Sequence, residues 1–211
     1  MKNRISANEA GRLWRHDGGA TMVEFTLVMM LLFSITFAIV EFALYNWQLN
    51  AAEKATEMAV RLAVESDPVA SGFATYSGVV DGGLDPGTDL TTTLVPAFTL
   101  TCTDTACSCS EGSCTQVGTA RSVGAFDAIL ARARAIFPRI QAQNLVVEYR
   151  HVGLGFAGRP GPDLVPVVAV RLRNLNYNVA AMTAFGVPAT LPLTTAPSVM
   201  TAEDLNSLAP S

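Results

Sequence analysis

Charge is scarce in this chain. Lys, Arg, Asp and Glu together make up 15% of its 211 residues, and their net of −4 leaves no basic excess. Without a basic face nothing neutralises a phosphate backbone, so nucleic-acid binding is excluded as a function class. Histidine is rarer still: His16 and His151 are far apart in sequence and give neither metal-ligand nor triad spacing. Proline is absent from Met1 to Asp67, and glycine from Ala20 to Ser71. Neither helix breaker therefore interrupts that stretch. No serine, cysteine or carboxylate set sits in a recognisable enzymatic context, which argues against an enzyme, a small-molecule substrate or a cofactor. There is no internal repeat.

What the chain has instead is one long apolar run. Phe25 to Val40 carries no charge, is bracketed by Glu24 and Glu41, and continues through Phe42, Leu44, Tyr45 and Trp47. That reaches roughly the 20 residues needed to cross a bilayer. It exceeds a secretory h-region of about 7 to 15 residues, and Tyr45 and Trp47 suit a membrane–water interface. The run predicts a retained transmembrane helix. Lys2, Arg4, Arg12 and Arg15 precede it, whereas Lys54 and Arg61 follow it amid Glu53, Glu57 and Glu65. This asymmetry places the N-terminus in the cytoplasm and the bulk of the chain outside.

Beyond the span, Ala51, Ala55, Ala59 and Ala63 recur every fourth residue, with Glu53, Glu57, Arg61 and Glu65 on another face. The pattern extends the helix to Ser66 as a rod of about 70 Å, stopped by Asp67-Pro68. The alanine stripe has two readings: close approach of a neighbouring backbone, or simply the best helix former. From Pro68 to Thr119 the composition turns to Thr, Ser, Gly and Asp, predicting loops with one strand at Ala97–Thr103. Val123, Phe126, Leu130, Ala133, Phe137 and Ile140 predict an amphipathic helix over Ser122–Gln143, kinked or ended by Pro138. Its Arg132, Arg134 and Arg139 read as a solvated face. Leu145–Val152 and Leu164–Leu175 read as strands around a Gly- and Pro-dense connector. His151, beside Glu148 and Arg150, reads as a satisfied surface histidine. The Pro-rich tail after Phe185 is expected to wrap the surface.

Cys102, Cys107, Cys109 and Cys114 have the spacing C-x4-C-x-C-x4-C. In an oxidising compartment, an even count in a core-poor segment predicts two disulfides. Of the three possible connectivities, the one joining Cys107 to Cys109 is strained, and the other two stay open. A zinc site with four cysteine ligands is the competing reading, but its usual paired spacing is missing.

The start of the run carries the sharpest motif. Gly18-Gly19 follows the basic leader, then come Ala20-Thr21-Met22-Val23, Glu24 and Phe25, an order resembling type IV prepilin signals. Cutting after Gly19 would leave an α-amine on Ala20, four positions before the Glu24 carboxylate. An ionisable group in a membrane segment costs about 2.5 to 3.5 kcal/mol at the helix centre and less near the interface. Pairing amine with carboxylate, in one subunit or between neighbours, would remove two unmatched charges from apolar surroundings. The plainer reading is a Glu24 that snorkels into the headgroups.

The glycine boundary, the Ala20-x3-Glu24-Phe25 start, the Val40-Glu41-Phe42 exit and the alanine-rich helix together resemble the TadE-like family. These are minor pilin-like, or pseudopilin, proteins of tight-adherence (Flp) pilus assembly. Ala135-Ile136-Phe137-Pro138 and Gly153-Leu154-Gly155-Phe156-Ala157-Gly158 are a looser match. The resemblance implies a prepilin peptidase cutting between Gly19 and Ala20, Glu24 and Phe25 serving assembly, and partners among membrane lipid and other pilin or pilus-assembly proteins. It supplies no catalytic residue.

The expected architecture is α+β: a basic leader (1–19), a transmembrane and extended helix (20–66), a loop-rich disulfide segment (67–121), an extracytoplasmic helix with strands (122–185) and a tail (186–211). The expected location is the bacterial cytoplasmic membrane, single pass, with surface exposure if the chain enters a pilus. The rival expectation is an unprocessed, anchored periplasmic binding domain. An anchored enzyme would need a pocket joining Glu148, Arg150 and His151.

Overall fold

The computed structural model describes residues 17–203 and 205, so leader residues 1–16 and the end of the tail lie outside the described residues. The fold is α+β. Its first element, α1 (Asp17–Glu65), is a single helix of 49 residues. The stretch Gly19–Glu65 is long and apolar enough to cross a membrane. Its hydroxyls bond their own backbone: Thr26 donates to the Val23 carbonyl, Ser34 to Met30 and Thr36 to Leu32. None of these three hydroxyls therefore needs an external partner in an apolar medium. Asp67-Pro68 ends the helix as expected, and a short α2 (Gly72–Thr75) follows.

By internal contacts the chain divides into two units. One holds the described residues up to Tyr45 together with Asn178–Ala189; the other holds Asn46–Tyr177 and the chain from Thr190 onward.

The second unit is built on five strands: β1 (Phe98–Cys102), β2 (Cys107–Glu111), β3 (Leu145–His151), β4 (Val167–Leu172) and β7 (Ser198–Thr201), in the order β2-β1-β3-β4-β7. All neighbours are antiparallel, with Leu100 opposite Tyr149, Val147 opposite Val170 and Ala169 opposite Val199. Two further strands, β5 (Asn176–Asn178) and β6 (Thr190–Pro192), pair separately. Alternation sends Leu145, Val147, Tyr149 and His151 of β3 inward, where all four are buried. The same core takes Phe126, Ile129 and Ala133 from α3 (Val123–Ile136) and Ala52, Ala55, Ala59 and Ala63 from α1. Three rings join there: Phe73 lies 5.4 Å from Tyr149 and 5.8 Å from Phe98. Such pairs add about 0.5 to 1.5 kcal/mol beyond area burial.

The structure departs from the sequence reading in several places. The helix expected over Ser122–Gln143, with Pro138 marking a kink or an early end, takes the early end and stops at Ile136, because Pro138 offers no N–H and pushes Phe137 out of the α region, at φ −128° and ψ 90°. Ser122 caps its start, its side chain accepting from the Ala125 N–H. The disulfide segment holds a second strand, β2, whose Cys-Ser-Cys-Ser alternation carries no hydrophobic signal. The tail does more than wrap the surface: β7 extends the sheet alongside β4. Lastly, His151 is not a surface residue. It is wholly buried and stacks 5.6 Å from Phe98, because the strand period that exposes Arg150 turns His151 to the core.

Candidate functional site

The residues proposed for processing and assembly stand at the start of α1. Gly19 and Ala20 are helical and exposed, and a methyl group added at Gly19 would meet nothing within 4 Å. Glu24 is exposed, and Phe25 beside it keeps 60% of its surface. No residue from Gly19 to Val40 is buried. Met22, Leu27, Met30, Leu31, Phe33, Phe37 and Ile39 all stand open. An apolar surface this continuous needs lipid or another protein to cover it.

Glu41 differs sharply. It is only 5% exposed, and its carboxylate accepts the backbone N–H groups of Ala180 and, at 2.6 Å, Met182. The loop that supplies them opens a 3-10 turn, Met182–Phe185. Sequence reading took Glu41 as a bracket of the span and as part of the Val40-Glu41-Phe42 exit, and gave it no partner; partners so distant along the chain leave no local signal.

The alanine stripe is spent inside its own chain. Ala55, Ala59 and Ala63 have no exposed surface, and between them Thr56 hydrogen-bonds Ser198 of β7 at 2.9 Å. Glu53, Lys54, Glu57, Arg61 and Glu65 form the wet face. Cys102 is joined to Cys107 and Cys109 to Cys114, one of the two connectivities left open. The first bridge closes the β1–β2 turn.

Among the described residues, Glu148, Arg150 and His151 do not line one common pocket. Glu148 is paired with Arg171 at 2.6 Å, and both line, with Arg150, Thr194 and Thr195, a groove of about 660 Å³. His151 lies on the opposite face of β3. Its burial holds the imidazole below its usual pKa, with the nearby Val95 carbonyl a smaller opposing influence, and neither ring nitrogen makes a hydrogen bond. Among the described residues no group of His, Cys, Asp and Glu could hold a metal ion. The arginines of α3 and the turn after it are not merely solvated either. Arg134 donates to the Ile140 carbonyl at 2.8 Å, and Arg139 reaches Gln48 and the Asn176 carbonyl. The Gly-dense connector is organised by buried Asp163, which accepts N–H groups of Gly78, Gly158 and Arg159. At Gly155, φ is +113° and an added Cβ would lie 2.1 Å from the Asp163 carbonyl oxygen, so only glycine fits.

Residues 19–61 match the family model of TadE-like proteins, the family that the glycine boundary, Glu24 and the alanine-rich helix resemble. No curated protein and no solved structure matches the chain.

Proposed function

We propose, from the TadE-like character of residues 19–61, that this chain is a minor pilin-like component supporting assembly of a tight-adherence (Flp) pilus or a related secretion apparatus. The observation that carries the reading is the coincidence of that match with a helix half left open from Gly19 to Val40, bearing Glu24 within it. In this reading the role is structural and not enzymatic. The precursor sits in the bacterial cytoplasmic membrane with its N-terminus inside. A prepilin peptidase cuts between Gly19 and Ala20. The apolar helix then leaves lipid for the company of like helices, and Glu24 pairs with the new amine to set their register. Phe25 and its neighbours supply the packing surface.

The test is the intact mass of the protein extracted from its native membrane. A chain beginning at Ala20 supports processing. A chain still carrying Met1 to Gly19, in cells with an active peptidase, overturns it in favour of an unprocessed anchored interaction domain. Glu24→Ala should be cleaved normally and assemble poorly; normal piliation in that variant would remove the role given to Glu24.

A further inference from the structure

Asn174 to Ala202 contains no charged residue, and its middle, Asn178–Ala189, groups with the membrane-spanning half of α1. The contact is specific. Both carboxylate oxygens of Glu41 are used, one by the Ala180 N–H and one by the Met182 N–H. Charge-assisted bonds of this kind are roughly twice as strong as neutral ones.

Two further observations say what surrounds this loop. The first is depth. The step along the helix from Glu24 to Glu41 is about 26 Å at 1.5 Å per residue, close to the roughly 30 Å of a bilayer core. A loop held on Glu41 therefore sits at the outer edge of the hydrocarbon, just below the level of Tyr45 and Trp47. The second is its backbone. The Val179 N–H reaches the Ala189 carbonyl at 2.9 Å, Gly186 that of Thr183 at 3.1 Å and Val187 that of Met182 at 3.3 Å. The Thr183 hydroxyl donates to the Ala180 carbonyl at 2.8 Å, and Pro188 has no N–H to satisfy. Gly186, at φ +82°, makes this tight turn possible. With the two bonds to Glu41, partners are thus present for the N–H groups of Val179, Ala180, Met182, Gly186 and Val187, which lowers the cost of laying this irregular chain against the apolar edge of the bilayer, short of its interior. Meanwhile Phe185 leaves 62% of its surface uncovered.

We infer that Val179–Ala189 is a second membrane-contacting element, an interfacial loop that Glu41 ties to the transmembrane helix and that buries Phe185 in the outer leaflet of the same membrane. The loop would fix the depth at which the helix waits in the bilayer, since it resists withdrawal as long as Phe185 stays in lipid. This rests on the reading of Phe25–Val40 as membrane-spanning.

The experiment places photoreactive benzoyl-phenylalanine at Phe185, or at Phe33 as the reference within the span. The full chain is reconstituted in phosphatidylethanolamine–phosphatidylglycerol vesicles and its adducts are identified by mass. Lipid adducts at both positions are expected. Adducts at Phe33 but none at Phe185, or only a cross-link from Phe185 to a second copy of the chain, would overturn the loop's placement while leaving the span intact. No lipid adduct at Phe33 would overturn the spanning reading and the loop with it. In Glu41→Ala the Phe185 lipid adduct should fall about tenfold, because two charge-assisted hydrogen bonds are lost, with Phe33 unchanged as the folding control. An undiminished yield at Phe185 would remove Glu41 as the tether.

Discussion

The two halves of α1 solve different problems with one helix. From Gly19 to Val40 its side chains are mostly large and apolar, most are exposed and none is buried. From Ala52 to Val64 they are small on one face, buried against the chain's own core, and charged on the other. The carboxylates follow the same division. Glu24 stands exposed near the start, whereas Glu41 is consumed by two backbone donors within the protein. Helix formation is common to both halves; what each face is offered for cover is not. A half with so little intramolecular cover takes its environment from outside. A half covered by its own domain does not.

Substitutions that act on one half alone would test that contrast. The largest effect is expected from Ala59→Leu, where a side chain with no exposed surface has no room to grow; overpacking should cost about 3 kcal/mol. Leu31→Ala, on the uncovered half, should leave the thermal unfolding of the detergent-solubilised chain unchanged. Equal destabilisation by both would break the comparison. Next comes Tyr149→Phe. The buried Tyr149 hydroxyl accepts the Val69 N–H at 2.9 Å just beyond the end of α1, and burial pushes its pKa upward. Leaving that N–H without a partner should cost about 2 kcal/mol, read by urea unfolding.

A smaller, pH-dependent effect belongs to His151. Burial lowers its pKa below the ordinary 6.5, so the unfolded chain takes up the proton first. Stability should therefore be flat above about pH 6.5 and fall as the pH drops below it. His151→Phe should flatten that acid limb in unfolding curves recorded from about pH 7.5 down to about pH 5, a range that brackets the histidine titration. A wild-type curve with no His151-dependent slope would contradict the burial argument. Smallest is Lys54→Ala, which removes a pair with Glu57 at 2.8 Å whose two side chains are both more than half exposed. Solvent screens such a pair, so the same unfolding assay should show no measurable change.

Much of the fold was legible because its signals are local. The helix through residues 20–66 follows from uninterrupted helix formers and ends where Asp67-Pro68 must end it. Strands β3 and β4 show in the alternation of Val, Leu and Tyr, and α3 in its apolar spacing, although Pro138 stopped it sooner than the apolar pattern implied. The uncharged run from Phe25 to Val40 was legible for the same reason, and the match of residues 19–61 to the TadE-like family model falls on the stretch whose motifs suggested it. Strand β2 was hidden by its Cys and Ser content, and β7 by a proline-rich setting, since both are strands mainly because a neighbouring edge offers them hydrogen bonds.

The sequence by itself determined that an apolar helix forms, where it stops, and which of its faces are small or charged, because these depend on residues within a turn or two of one another. Only the tertiary structure decided that the alanine stripe is used up within the chain, that His151 turns inward, and that Glu41 holds a loop from the far end of the sequence. Those outcomes depend on which surfaces the antiparallel sheet and the returning chain bring together, and nothing within a helical turn of each residue records it.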